Sequence, residues 1–400
     1  MGNYLAKICF LADSHALYDD RIYWKQAISL MKSGYEVFYI LAGDVNESGT
    51  TAEGLKFEII RKDKFPSNPY INYITKRMPG GLYAKMFRKA ASLEADVYHI
   101  HDLKVNRIGN KLKKLSFKPK VIYDVHEPYP ENILDYWEGK GMLRNFRKPW
   151  SKYIRKWEKR SITNYDLIIT TEENMQERFR IYFPDKPVEI IYNYTNLAVA
   201  DHSTDTESKE FDAIYTGGIT EFRGVWQILE AVKRVKKKKN DFNLLFLGHW
   251  FPFQLKKEME LFIKDNGLDN HVSMLNAVSY SEVGEYYRKS KIGLGIFLPI
   301  LTHHIILQIK IFEYMNYGLP IICSNFGHIK NIIQRHQCGI EVNPEDPDEI
   351  AEGLLNLLSD ETKYSKMSRN GKQAAMKNYR WETMEKKLIK IYKKLLSEEK

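Results

Sequence analysis

Cysteine is scarce in this chain of 400 residues: Cys9, Cys323 and Cys338 are scattered and odd in number. They form neither a disulfide framework nor a paired metal-ligand spacing, and they fit a reducing compartment. No apolar run approaches the roughly 18 residues of a spanning helix. The opening MGNYLAKICFLADSH reaches Asp13 after too short an apolar run for a signal peptide. There is no internal repeat, and the one biased stretch, VKKKKN, reads as a solvated helix end. These absences predict a cytoplasmic protein, soluble or peripheral on the inner face of a membrane.

What the chain does have is 44% apolar and 13% aromatic content, enough for packed cores, and a length that suits two or three domains. The formal charge is +10, most of it in the first two hundred residues. A basic half invites an anionic membrane surface or nucleic acid. No nucleic-acid-binding module accompanies it, so no nucleic-acid partner is expected. The segment GKGMLRNFRKPWSKYIRKWEKR, 139–160, carries nine basic residues and one acid, Glu158. It mixes Trp150, Tyr153, Ile154 and Trp157 with these cations, as a helix lying on an anionic membrane would. The segment 70–89 is a second such candidate. Equally, Trp150, Ile154 and Trp157 have the spacing of a core-facing stripe.

Short apolar runs alternate with helical patterns: KICFLA, EVFYIL, DVYHIH, KVIYDV, DLIITT and VEIIYN, then DAIYTGG, NLLFLG, HVSML, KIGLGIF, PIICS and CGIEV. This βαβ rhythm predicts α/β architecture with doubly wound parallel sheets. It breaks over the polar stretch 196–210, which reads as a linker. We therefore expect one Rossmann-like domain over 1–198 and a second over 211–380. The stripe Trp381, Met384, Leu388, Ile391 and Leu395 marks a final helix over 381–400, which can pack back on the first domain.

Ligands of open α/β sheets gather beyond the carboxyl ends of strands, so residues there are weighed first. TGGITEFRG, 216–224, lies between a strand and a helix. Gly217 and Gly218 permit close backbone approach to an anion, and Arg223 adds a fixed charge. The stretch is neither GxGxxG nor a Walker loop, and a tight turn with a surface arginine fits it equally. Glu313 sits among Ile311, Phe312, Tyr314 and Met315, costly surroundings for an unpaired carboxylate. It could accept hydrogen bonds from a ribose diol, with Lys310 one turn earlier meeting phosphate; it could also simply edge an amphipathic helix. VIYDVHEPYPEN places His126 and Glu127 after a strand, and HIHDL does the same for His101 and Asp102. A histidine so placed can donate a hydrogen bond or move a proton. Asp346-Pro-Asp348 resembles a metal-binding DxD, but it opens a helix and N-capping explains it better.

The segments DDRIYWKQAISLMKSGYEV, ADVYHIHDL, VIYDVHEPYPEN, YTGGITEFRGVWQILEAV, KIFEYMNYGLPIICS, QCGIEVNPEDPDEIAEGLLNLL and NYRWETMEKKLIKIY run through the whole chain in order. Together they resemble glycosyltransferase family 4, most specifically in KIFEYMNYGLPIICS. The resemblance implies the GT-B fold, two Rossmann-like domains facing a central cleft. The C-terminal domain would bind a nucleotide-sugar donor and the N-terminal domain a glycan or lipid-linked acceptor of surface polysaccharide synthesis. Hexosyl transfer with retention and without a metal or other cofactor is implied. Residue by residue, Glu313 matches the ribose-binding glutamate, Arg223 the basic residue on the diphosphate, and His126 the histidine near the transferred sugar. Asp20 and Arg21 match an N-terminal Asp-Arg pair. The family's second glutamate, eight positions before Glu313, is here Ile305, with His303 and His304 close by. An earlier arginine falls at Gly217 or Gly218. The alternatives are a nucleotide-sugar epimerase of the same architecture and a non-catalytic nucleotide- or membrane-binding partner.

Overall fold

The computed structural model describes residues 6–62, 81–101, 103–136, 145–195 and 208–397. The chain divides into two compact units, Met1–Asn193 with Thr383–Lys400, and Tyr194–Glu382.

The first unit is built on eight strands: β1 (Lys7–Ala12), β2 (Glu36–Gly43), β3 (Glu47–Thr50), β4 (Lys56–Arg61), β5 (Val97–His101), β6 (Lys120–Val125), β7 (Leu167–Thr170) and β8 (Val188–Ile190). Their order is β3-β4-β2-β1-β5-β6-β7-β8, parallel throughout except for the β3–β4 pair. The apolar runs read from sequence are the six parallel strands β1, β2 and β5–β8. The edge pair β3–β4 was not among them: β3 (ESGT) is wholly exposed and carries no apolar pattern. Strand order reverses between β1 and β5, which opens a crevice beyond their carboxyl ends. The chain leaves β1 into a helix whose first stretch, Asp20–Ala27, is π-wound. Asp19 caps it, accepting from the Arg21 and Ile22 amides. The last helix, Trp381–Ser397, ends in this unit, where Tyr392 is fully buried and its hydroxyl lies 2.6 Å from His99 Nδ1.

The second unit has six parallel strands: β9 (Phe211–Ile219), β10 (Leu244–Trp250), β11 (Val272–Asn276), β12 (Ser290–Gly295), β13 (Ile321–Ser324) and β14 (Gly339–Val342). Their order is β11-β10-β9-β12-β13-β14, with the reversal between β9 and β12. All six were legible as apolar runs. The expected loop at TGGITEFRG begins later than its composition suggests, because β9 runs on through Gly217 and Gly218. Two glycines make that extension possible. Gly217 adopts φ +98°, and a Cβ on Gly248 of β10 would lie 1.7 Å from the Gly217 carbonyl oxygen. Asp346 caps the helix Pro347–Ser359, accepting from the Asp348 and Glu349 amides, as its position before Pro347 implies.

Candidate active site

In the second unit the carboxyl end of β9 meets the helix Ile309–Asn316. Ile311, Phe312, Tyr314 and Met315 are buried under the sheet, while Glu313 is only half-buried. One partner is Tyr287, whose hydroxyl donates to Glu313 Oε2 at 2.6 Å. Behind Tyr287, Thr216 Oγ1 lies 3.0 Å from the Tyr287 hydroxyl and 3.2 Å from that of Tyr314. The Thr216 amide donates to the Tyr314 hydroxyl at 3.1 Å. A carboxylate beside apolar surface is thus held by a buried hydroxyl chain that ends at the glycine pair.

Lys310 lies three residues before Glu313 on the same helix. It is 6% exposed, and its Nζ has no hydrogen-bond acceptor among the described residues. The ammonium rests 3.5 Å above the Tyr215 ring and 5.3 Å from that of Phe297, a cation–π seat. Burial drives its amine well below the ordinary lysine range, the charge of Arg223 adds to this, and Glu313 opposes it. Arg223 bends back over the glycines, donating from Nη1 to the Gly218 carbonyl at 3.2 Å. A Cβ placed on Gly217 would lie 3.9 Å from both Arg223 Nη1 and Lys310 Cε. Two basic side chains therefore converge on the backbone of Gly217 and Gly218, an arrangement that could hold an anion.

The first unit holds a second cluster at the ends of β5 and β6. Asp124 is fully buried and accepts from Arg21 Nη2 at 2.9 and 3.2 Å and from Gln26 Nε2 at 2.6 Å. Three imidazole nitrogens face it: His99 Nε2 at 3.4 Å, His126 Nε2 at 3.6 Å and His101 Nδ1 at 3.7 Å. His101 Nδ1 and His126 Nε2 are 3.3 Å apart. Burial holds His99 and His101 below the usual imidazole range, His101 well below it, with His99 a further cause for His101. Burial alone would raise Asp124; Arg21 and then His126 outweigh it and keep the carboxyl well below the carboxylate range. His126 is the least buried of the three rings, with 10% of its side chain exposed. His99, His101 and Asp124 bring ligand atoms within 4.8 Å of one another. Both oxygens of Asp124 are already engaged by Arg21, so this donor set is neutralised by a guanidinium rather than open to a metal.

The other expected residues fall at different depths. Arg21 is buried and also donates to the Ile191 carbonyl at 2.7 Å. Asp20 accepts from the fully buried Lys25 at 2.5 Å, and Lys25 donates as well to Asn193 Oδ1. Glu127 is exposed and accepts from Asn132 at 3.2 Å. Asp102 lies outside the described residues. His303 is buried and donates to the Leu298 carbonyl, and the His304 ring packs on Phe326. Thr216, Tyr287, Tyr314, His99, Asp124 and Gln26 were not singled out from sequence. Thr216 directly precedes the glycines and Asp124 sits two residues before His126, which could have marked them. Tyr287 carries no such signal.

The helix Arg147–Ser161 turns Ser151, Glu158 and Ser161 inward. Trp150 and Tyr153 stack at 5.2 Å and are 37% and 48% exposed, with Phe146 beside them in sequence at 59%. The core-facing stripe that their spacing allowed does not form at Trp150, because Ser151 and Glu158 find buried polar partners in Pro130 O and Tyr123. Residues 139–144 lie outside the described residues, as do 70–80 of the second candidate segment. The remainder of that segment enters the helix Leu82–Ser92, with Leu82, Tyr83 and Met86 buried.

Comparison with known proteins gives two family matches: glycosyltransferase family 4 over residues 24–199, and glycosyl transferases group 1 over residues 200–374. An uncharacterized glycosyltransferase of Methanocaldococcus jannaschii is 23% identical over 92% of both chains. Among solved structures, sucrose-phosphate synthase from Thermosynechococcus elongatus matches with a TM-score of 0.73 at 16% identity, covering 98% of this chain and 99% of that one. HepE of Anabaena, solved in complex with UDP, matches with a TM-score of 0.71 at 16% identity, covering 97% and 100%.

Proposed function

Because the chain belongs to glycosyltransferase family 4, nucleotide-sugar-dependent enzymes of GT-B fold that act with retention, we propose that its second unit holds the donor through Glu313, Lys310, Arg223 and the backbone of Gly217 and Gly218. The observation that carries this reading is the buried Lys310 side chain, whose Nζ has no hydrogen-bond partner among the described residues. A buried cation without a partner is costly, and a diphosphate held between Lys310 and Arg223 would offset that cost. Glu313 would accept hydrogen bonds from the ribose hydroxyls. HepE was solved with UDP-glucose as well as UDP, and the same class of donor, transferring a hexosyl group, is the reading proposed here.

As the glycosidic bond to the diphosphate breaks, negative charge builds on the leaving phosphate oxygen. Lys310 and Arg223, fixed in place beforehand, would stabilise it without a metal ion. His126, with Glu127 and His101 around it and Asp20 and Arg21 behind, would line the acceptor side of the first unit and orient the sugar or the transferring proton. The acceptor we infer is a glycan or lipid-linked sugar of surface polysaccharide synthesis. The support for a membrane-borne acceptor is the outward Trp150–Tyr153 pair on a helix bearing Lys148, Lys152 and Lys156. No helix among the described residues is long and apolar enough to cross a membrane, so association would be peripheral.

A thermal-shift screen against UDP-, GDP- and ADP-sugars in EDTA tests the donor reading, because a ligand that binds only the folded state raises its melting temperature. One sugar nucleotide should stabilise the protein with no metal added. Stabilisation by none, or only with Mg²⁺ or Mn²⁺, would contradict it. Conversion of the donor to an epimer without acceptor would favour the epimerase.

A further inference from the structure

We propose that Tyr287 is a positioning residue that sets how strictly the site demands a ribonucleotide, by fixing the Glu313 carboxylate through a one-way hydrogen-bond chain. The inference rests on the reading of Glu313 as the ribose ligand and extends it to a residue that touches no substrate.

The direction of the chain follows from its end. A carboxylate only accepts, so the single hydroxyl hydrogen of Tyr287 goes to Glu313 Oε2 at 2.6 Å. Thr216 must then be the donor at its 3.0 Å contact with Tyr287. With its own hydrogen committed, Thr216 can only accept across the 3.2 Å contact with Tyr314, whose hydroxyl also has the Ile214 and Leu294 carbonyls at 3.4 Å as acceptors and whose oxygen accepts the Thr216 amide at 3.1 Å. The links from Thr216 through Tyr287 thus point towards Glu313, and links aligned in one sense reinforce one another in a buried setting. Tyr287 cannot drift. It is 1% exposed, and its ring meets Tyr314 edge-on at 5.5 Å and Tyr317 at 5.1 Å. Thr216 begins the chain immediately before Gly217, so the carboxylate and the anion-binding backbone share one rigid support. Without the Tyr287 hydroxyl, Glu313 keeps its charge but loses the hydrogen bond that fixes Oε2. It could still attract a nucleotide, yet it would no longer tell two hydroxyls from one.

The test is titration calorimetry with UDP, GDP and ADP and their 2′-deoxy counterparts on the wild type, Tyr287→Phe and Thr216→Val. For the tightest-binding base, the wild type should prefer the ribonucleotide by at least about tenfold, as expected when a hydrogen bond to a charged group is lost. Tyr287→Phe should bring that ratio close to one while binding the deoxynucleotide as the wild type does. Thr216→Val, which breaks the chain one link earlier, should lower the ratio part of the way, and it decides the matter should the tyrosine variant fail to fold. A variant ratio equal to that of the wild type overturns the role of Tyr287 alone. A wild type that binds both forms equally overturns the ribose reading itself, and this inference with it.

Discussion

Arg21 donates to both carboxylate oxygens of Asp124, at 2.9 and 3.2 Å, with both side chains almost wholly buried. The same guanidinium reaches the Ile191 carbonyl, so one arginine ties the β6 end, where His126 emerges, to the last stretch of the unit before Asn193. Removing one partner of a buried pair leaves an uncompensated charge, which costs far more than the pair's net worth.

Arg21→Met should therefore lower stability by about 3–5 kcal/mol. Urea denaturation of the variant and the wild type measures this. A loss within experimental error of zero would mean that Asp124 is neutral in the folded protein.

The same cluster sets a pH dependence. His99 and His101 have folded pKa values below their unfolded value of about 6.5. As pH falls below that point the unfolded chain binds protons that the folded one refuses, so this contribution is complete above about pH 6.5 and is lost on acidification. Asp124, also depressed, adds a further loss below about pH 4. The melting temperature should fall from pH 7 to pH 5, and His101→Gln should flatten that slope. A level profile over this interval in the wild type would contradict the burial of neutral imidazoles.

Lys310 should show stability and binding pulling apart. Lys310→Met removes a buried amine that has no hydrogen-bond partner among the described residues, so the unliganded variant should melt no lower than the wild type while binding nucleoside diphosphate at least about tenfold more weakly. Because the free amine is depressed and a bound diphosphate favours the ammonium, binding should take up a proton wherever the free amine is partly deprotonated, and weaken as pH rises. Calorimetry in two buffers of different ionisation enthalpy reads that proton. Equal affinity in the variant would remove Lys310 from the donor site.

Liposome flotation addresses the Trp150–Tyr153 face. Binding to vesicles containing anionic lipid should appear at low salt, weaken at high salt, and drop on substitution of both Trp150 and Tyr153 by alanine. Equal binding to neutral vesicles, or none at low salt, would favour a soluble acceptor.

Much of the fold was legible because buried parallel strands read as short apolar runs with helical patterns between them, and twelve of the fourteen strands carry that mark. β3 lacks it because an edge strand facing water needs no apolar pattern, and β4, beside it, is half-buried. In the last helix the apolar stripe was right in phase, but beside the fully buried Leu388 it is Tyr392 rather than Ile391 that is fully buried, since a tyrosine can bury its ring and still satisfy its hydroxyl on His99. At the site, the charged residues were legible and their supports were not. Glu313 and Lys310 stand out as charges in apolar surroundings. Tyr287 and Thr216 lie 26 and 97 residues from Glu313 along the chain and look like ordinary core positions until the fold joins them.

The most direct test of the donor site is titration of UDP, GDP and ADP, in EDTA, into the wild type and Glu313→Gln. For the nucleotide that binds, the variant should lose about 1–3 kcal/mol of affinity, the worth of hydrogen bonds to a charged group, and its melting temperature should stay close to that of the wild type. Unchanged affinity in Glu313→Gln would contradict the assignment of this carboxylate to the ribose, and with it the placing of the donor in the second unit.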